Sequence, residues 1–174
     1  MPAQNYPNVE VTAVGSRSLE RGKKFAQKYG LQKYYGTYQG LVDDPDIDVI
    51  YISTPNAFHV EWVMKALKAG KHVLCEKPIS HTYEDALKII ALAKEKNLLV
   101  MDALHYLYHP TIKSTIERIK SGALGKILGV HVQLGYPKPP EGDIRYKPWV
   151  LGGAFMHMAC YCGHLLHWLI ETPT

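Results

Sequence analysis

The run Lys71-His72-Val73-Leu74-Cys75-Glu76-Lys77-Pro78 decides how this chain folds. Gly70 stops the helical pattern before it, and Val73-Leu74-Cys75 is an apolar run short enough for a buried strand. The run ends abruptly at an acid, a base and a proline. In an open α/β sheet, ligands bind outside the carboxyl ends of the strands. Lys77, delivered to that edge and fixed beside Pro78, is therefore a ligand-facing lysine. The alternative is a surface Glu-Lys pair before a turn.

Upstream, Ile47 to Ser53 is almost continuously β-branched or apolar, which predicts a parallel strand covered on both faces. Thr54-Pro55-Asn56 breaks it. Val60, Val63, Met64 and Leu67 then recur at helical spacing up to Gly70. Further upstream, Val9 to Gly15 reads as a strand ending in Ser16-Arg17-Ser18. Ser18 is a suitable N-cap for a helix to Tyr29, with Gly30 as its stop. Tyr34 to Tyr38 is a short strand or connector. Downstream, Thr82 caps a helix whose inner face is Ala86, Ile89, Ile90 and Ala93, and Leu98 to Met101 is another strand. Strand and helix alternate throughout, which predicts a parallel sheet wrapped by helices through right-handed crossovers.

After His109-Pro110 the pattern changes. Ile112, Ile116 and Ile119 make a short amphipathic helix closed by Gly122. Leu128, Val130, Val132, Leu134 and Tyr136 alternate with Gly129, His131, Gln133 and Gly135, which predicts a one-sided strand of an antiparallel sheet. Phe155 to Ile170 reads as a final helix. The expected division is a partial Rossmann-like domain over 1–105 and a partial α/β domain over 106–174.

Composition narrows the function classes. The net charge of +4 is dispersed without a Lys/Arg run, which argues against nucleic acid as a partner. Three cysteines without paired spacing argue against a disulfide scaffold and for a reducing compartment. Met1-Pro2-Ala3-Gln4-Asn5-Tyr6-Pro7 lacks the basic start and apolar run of a signal peptide, and no stretch is apolar and long enough for a membrane span. The expected location is the cytoplasm.

The candidate site residues lie at strand ends. Ser16 and Arg17 occupy the tip where dinucleotide-binding folds meet the adenosine ribose; an arginine there suits the 2′-phosphate of NADP, whereas an acid would suit NAD. Ser53, Thr54, Pro55 and Asn56 form a turn whose amides can face a cofactor, with simple capping as the bland alternative. His59, in the next helical turn, is grouped with these cofactor contacts, with a packing histidine as the alternative. At Glu76-Lys77-Pro78 a lysine could hydrogen-bond a reacting hydroxyl and help take its proton as hydride leaves, with Glu76 steadying it. Pro78 locks the turn at a position that suits a cis bond. His157, Cys160, Cys162, His164 and His167 crowd the last helix, but their spacing matches no zinc motif, so no metal is expected. On residues alone, Tyr161 in that helix reads as a hydrogen-bonded core tyrosine, with an acid/base role as the alternative.

None of the fourteen glycines fall at G-x-G-x-x-G spacing. That fingerprint belongs to the first strand and turn of a dinucleotide-binding fold. The first strand visible here has the features of the second, so the expected sheet lacks its first strand and phosphate loop.

With these residues placed, the chain resembles the Gfo/Idh/MocA oxidoreductases. The match is carried by Ala13-Val14-Gly15-Ser16-Arg17, Asp44-Pro45-Asp46-Ile47-Asp48, Ser53-Thr54-Pro55-Asn56 with His59, and the stretch from Ala66 to Pro78. His109-Pro110, Asp143-Ile144-Arg145-Tyr146 and Gly152-Gly153-Ala154 follow in the family's order. The chain is most similar to the dimeric dihydrodiol dehydrogenase and NADP-dependent D-xylose dehydrogenase branch. The resemblance implies a Rossmann domain followed by a domain with a mostly antiparallel sheet, NADP as cofactor with NAD as the alternative, and a sugar or polyol substrate. It implies Lys77 as the catalytic lysine, Tyr161 as its acid/base partner, Arg145 and His157 at the substrate, and a homodimer. The chain departs from the family's Asp-x-Gly-x-Tyr, reading His157-Met158-Ala159-Cys160-Tyr161, and carries Leu107 where a basic residue is common. Two readings follow: an NADP-dependent dehydrogenase of CH–OH groups, or a truncated, inactive remnant serving as an interaction module.

Overall fold

The computed structural model describes residues 5–169. Residues 1–4 and 170–174 lie outside that description, and with them the opening of the chain and the expected helix end at Ile170.

The first half alternates as the sequence predicts. Strand β1 (Ala13–Gly15) leads into helix α1 (Leu19–Tyr29), strand β2 (Lys33–Tyr35) and the short helix α2 (Tyr38–Val42). The Ser18 hydroxyl accepts from the Arg21 N–H at the start of α1, and Gly30 ends it at φ 67°, a left-handed conformation that suits glycine. Strand β3 (Val49–Ile52), helix α3 (His59–Lys68), strand β4 (His72–Cys75), helix α4 (Tyr83–Glu95) and strand β5 (Val100–Asp102) follow. Thr82 caps α4 by accepting from the Asp85 N–H.

All pairings are parallel. β1 ladders with β2, and β3-β4-β5 form a second sheet in that order. Among the described residues no ladder joins β1 to β3, and this gap falls where a doubly wound sheet has its first strand. Ile50, Ile52, Val73 and Cys75 bury one face of the second sheet against Val63, Ala66 and Leu67 of α3 and Ile89 and Ala93 of α4.

Two expectations are corrected here. β3 is covered on one face only: Val49 and Tyr51 are more than half exposed, because both packing helices lie on the side of Ile50 and Ile52. Residues 128–136 do not form the predicted antiparallel strand. Alternation says which side chains share a face, but a strand exists only through ladder partners, and no described segment pairs with this one. Leu128 is 90% exposed, so the face the pattern marks as buried is open at that end.

A 3-10 turn (Asn56–Phe58) precedes α3, and another (His105–Tyr108) precedes helix α5 (Pro110–Lys120); then come two 3-10 turns (Ile144–Tyr146 and Pro148–Val150) and helix α6 (Ala154–Leu169). The loop before α6 passes very close to the Ile144–Tyr146 turn. A Cβ on Gly152 would lie 2.6 Å from the Arg145 carbonyl oxygen, so no other residue fits without displacing backbone. Asn56 joins the two halves of the chain: its Nδ2 donates to the Leu151 carbonyl at 3.2 Å.

Candidate active site

β4 carries the site. It pairs with β3 on one side and β5 on the other, and both neighbours hold its end. The Glu76 N–H donates to the Ile52 carbonyl at 2.8 Å, and the Ala103 N–H donates to the Cys75 carbonyl at 2.8 Å. The chain then turns through Glu76, Lys77 and Pro78, with the Lys77–Pro78 peptide bond cis. Cys75 is fully buried beneath this turn, and burial pushes its thiol up to about 12.

Lys77 projects from the turn toward α6. Its Nζ donates to the His157 carbonyl at 2.6 Å and lies 5.0 Å from the centre of the Tyr161 ring. An ammonium over an aromatic face is attracted by the ring quadrupole. One N–H of Lys77 is thus committed, and its remaining donors can meet a reacting oxygen. Burial raises the Tyr161 phenol above its usual range, and nearby Cys160, Glu76 and Asp102 add to the effect. The His157 imidazole is lowered, first by burial and then by the charges of Lys77 and Arg145.

Lys77 and Tyr161 line a cleft of about 440 Å³, bounded also by His105, Tyr106, Val132 and Met158, among others. Its walls are mainly apolar. Tyr106 is fixed in place by a 2.9 Å hydrogen bond between its hydroxyl and His164 Nδ1.

At the adjacent strand ends, Ser16 accepts from the Ser18 N–H, and Arg17 is exposed with no acid beside it in the tip Ser16-Arg17-Ser18. Thr54 is half-buried, and its hydroxyl oxygen is buried and unpartnered. This donor set fits a nicotinamide dinucleotide: an exposed guanidinium at one strand tip, where a 2′-phosphate would find a charge partner, and an unsatisfied hydroxyl at another.

The profile described as "Oxidoreductase family, NAD-binding Rossmann fold" matches residues 2–103, and that of the Gfo/Idh/MocA C-terminal domain matches residues 112–174. The chain belongs to the Gfo/Idh/MocA oxidoreductase family.

Relatives extend the comparison. The chain is 37% identical over 155 residues to a dTDP-3,4-didehydro-2,6-dideoxy-alpha-D-glucose 3-reductase of Actinomadura kijaniata, covering 89% of this chain and 46% of that one. A 3-ketoreductase structure from the same organism, in complex with NADP and TDP-benzene, superposes with a TM-score of 0.90 at 34% identity, covering 97% and 51% of the two chains. D-xylose 1-dehydrogenase (NADP(+)) 2 of Haloferax volcanii is 31% identical, covering 99% and 53%. Trans-1,2-dihydrobenzene-1,2-diol dehydrogenase of Xenopus tropicalis is 32% identical, covering 93% and 48%. The chain spans about half the length of the curated relatives it matches.

Within this Gfo/Idh/MocA chain the structure brings Lys77, Tyr161 and His157 together and sets others apart. Arg145 borders an adjacent cleft with Tyr136 and Met158. Its guanidinium is held by Asp143 through two 2.8 Å bonds, Nε to Oδ1 and Nη2 to Oδ2. That pairing holds the Asp143 carboxyl far below the usual carboxylate range. Glu76 does not pair with Lys77: its Oε1 accepts from the Tyr51 hydroxyl at 2.5 Å, and Tyr51, pushed up to about 12 by burial and this bond, remains a donor.

His59 is a correction. Its side chain is fully buried and both ring nitrogens face backbone carbonyls, so it cannot touch a cofactor directly. The sequence signal was present: 59, 63, 66 and 67 form the inward stripe of α3, one step round from the 60, 63, 64, 67 stripe predicted. Asn56 also spends its amide on Leu151. Tyr51, Asp102, His105 and Tyr106 were not singled out from the sequence. Asp102 was findable, as a carboxylate at the carboxyl end of the last parallel strand. Among the described residues no cluster of His, Cys, Asp and Glu could hold a metal ion, and no helix is long and apolar enough to cross a membrane.

Proposed function

We propose that this chain provides the catalytic lysine of an NADP-dependent dehydrogenase acting on the CH–OH group of a cyclic sugar or trans-diol. The observation that carries this reading is the Lys77 ammonium, held at the end of β4 by the His157 carbonyl and facing Tyr161 across the cleft. Ser16 and Arg17 would hold the adenosine end of NADP, and Ser53, Thr54, Pro55, Glu76 and Lys77 would border its nicotinamide end. When bound, NADP supplies the hydride acceptor. Lys77 hydrogen-bonds the substrate hydroxyl and, from its neutral amine form, takes the hydroxyl proton to become the ammonium, with Tyr161 assisting, so the carbinol becomes a carbonyl; an aldose such as D-xylose would give a lactone.

The mainly apolar cleft favours a ring with few hydroxyls, since each hydroxyl buried without a partner is penalised. His157 and Arg145 contact the substrate's polar rim in this reading, residues 1–105 and 106–174 form two domains, and a homodimer is the assembly. Turnover assays with NADP⁺, comparing trans-cyclohexane-1,2-diol with D-xylose, test it. The reading expects reduction of NADP⁺ with either substrate and a lower KM for the diol. Folded protein without turnover on either would refute it.

A further inference from the structure

His59 is fully buried, yet it is one of the most heavily committed polar side chains in the molecule. Its Nδ1 lies 2.7 Å from the Pro78 carbonyl oxygen, and its Nε2 lies 2.7 Å from the Thr54 carbonyl oxygen. Thr54 follows β3 and Pro78 follows β4, so the ring spans two strand ends, and Lys77 immediately precedes the Pro78 that the ring holds. A backbone carbonyl only accepts hydrogen bonds. A neutral imidazole carries a single N–H and would set its other nitrogen lone pair against a carbonyl lone pair at 2.7 Å. Only the imidazolium donates at both ends.

We infer that His59 is a positioning residue for Lys77, acting as a doubly protonated clasp between the Thr54 and Pro78 carbonyls. This rests on the dehydrogenase reading only in the role it gives Lys77. A buried cation needs compensating charge. Asp102, at the end of β5, is the acid that bears on it: burial raises its carboxyl above the usual carboxylate range, and the Ile79 N–H and the field of His59 pull the other way. The Asp102 carboxylate also faces the Ile79 N–H, and its Oδ1 is buried without a partner. The Pro78 carbonyl and the Ile79 N–H belong to one peptide group. That peptide is therefore held by the His59 ring at its oxygen and by the Asp102 carboxyl at its nitrogen, immediately after Lys77. Another titratable group in its field is His157 on α6, which His59 repels and whose imidazole Lys77 also lowers.

The clasp accounts for why a strand end needs a buried histidine. β-sheet hydrogen bonds fix the turn on the upstream side, through Glu76 and Cys75. Downstream the chain has left the ladder, and the side chains of His59 and Asp102 replace it. Loss of the clasp frees the turn and displaces Nζ of Lys77 from the cleft without removing any group that touches cofactor.

The test is nitrogen NMR of the chain labelled at its histidine rings, at pH 7, with His59 assigned by loss of its signals in His59→Gln. Both ring nitrogens of His59 should carry slowly exchanging protons; a single protonated nitrogen would overturn the clasp. In steady-state kinetics, His59→Gln, which keeps one donor, should lower kcat by roughly 10- to 100-fold, as small displacements of reacting groups do, with KM and NADPH affinity unchanged. An equal loss in NADPH affinity, or an unchanged kcat, would count against positioning. Should His59→Gln fail to fold, signals are assigned by substituting the other histidines, and the spectrum decides. The spectrum is independent of turnover. A doubly protonated His59 in a chain inactive with NADP⁺ would refute the dehydrogenase reading and leave the clasp standing; a singly protonated His59 in an active chain would do the reverse.

Discussion

In the proposed reading Lys77 and Arg17 carry different halves of the chemistry, and substitution separates them. Lys77→Ala should lower turnover by about 10²- to 10⁴-fold, the usual contribution of a general acid or base, while leaving NADPH affinity intact. A large affinity loss with normal turnover, measured by paired kinetics and fluorescence titration, would show that Lys77 serves binding instead. Arg17→Ala should weaken NADPH by about 10- to 100-fold, equivalent to one charge-assisted contact, and leave NADH nearly unchanged. Equal affinity changes for the two cofactors would remove the 2′-phosphate role. Away from the site, Asp44 is buried at 3% side-chain exposure, between Lys33 at 3.0 Å and the Tyr35 hydroxyl at 2.6 Å. The Tyr35 bond, the Asp46 N–H and Lys33 together hold its carboxyl down to about 2. A depressed folded pKa stabilises the fold above the unfolded value near 3.8 and loses that contribution as pH falls toward 2. Asp44→Asn should therefore lower the urea midpoint at pH 7 and shrink its difference from the parent chain below pH 3.

Elements were legible in the sequence where local chemistry and periodicity agreed. Ser18, Thr82, Gly30 and Gly70 mark helix ends that the structure reproduces within a residue or so. The parallel strands were found because β-branched runs ended in turn residues. Residues 128–136 failed for the opposite reason: their alternation is a local pattern, while pairing is a long-range fact. His59 failed because a one-step rotation of the α3 stripe carries it from the ligand edge to the core. Lys77 was legible because a strand end, a proline and a lysine coincide; the partner of its ammonium, a backbone carbonyl, leaves no trace in sequence. The α3 packing makes a direct prediction. Leu67 is fully buried between β3, β4 and α4, so Leu67→Ala should lower unfolding free energy by about 2–5 kcal/mol in a denaturant titration. A change below about 1 kcal/mol would mean that the site collapses to fill the cavity.

At the scale of the whole molecule, the two halves meet at few but specific points. The Lys77 ammonium reaches the His157 carbonyl on α6, and Asn56 reaches Leu151 in the loop before it. Both contacts run from strand ends of the first half to the approach and first turn of one helix, so in the proposed reading the same element aligns the cofactor edge with the substrate cleft. Gly152 permits that approach, and Gly152→Ala should raise KM for the diol more than the dissociation constant of NADPH, since the clash falls against the Arg145 backbone. The account stands or falls on whether the strand ends of this chain bind a nicotinamide dinucleotide. Titrating the folded chain with NADPH and following nicotinamide fluorescence measures this most directly. Saturable enhancement that Arg17→Ala weakens and Lys77→Ala preserves is the predicted result; a folded sample that leaves the fluorescence unchanged at every concentration would contradict it.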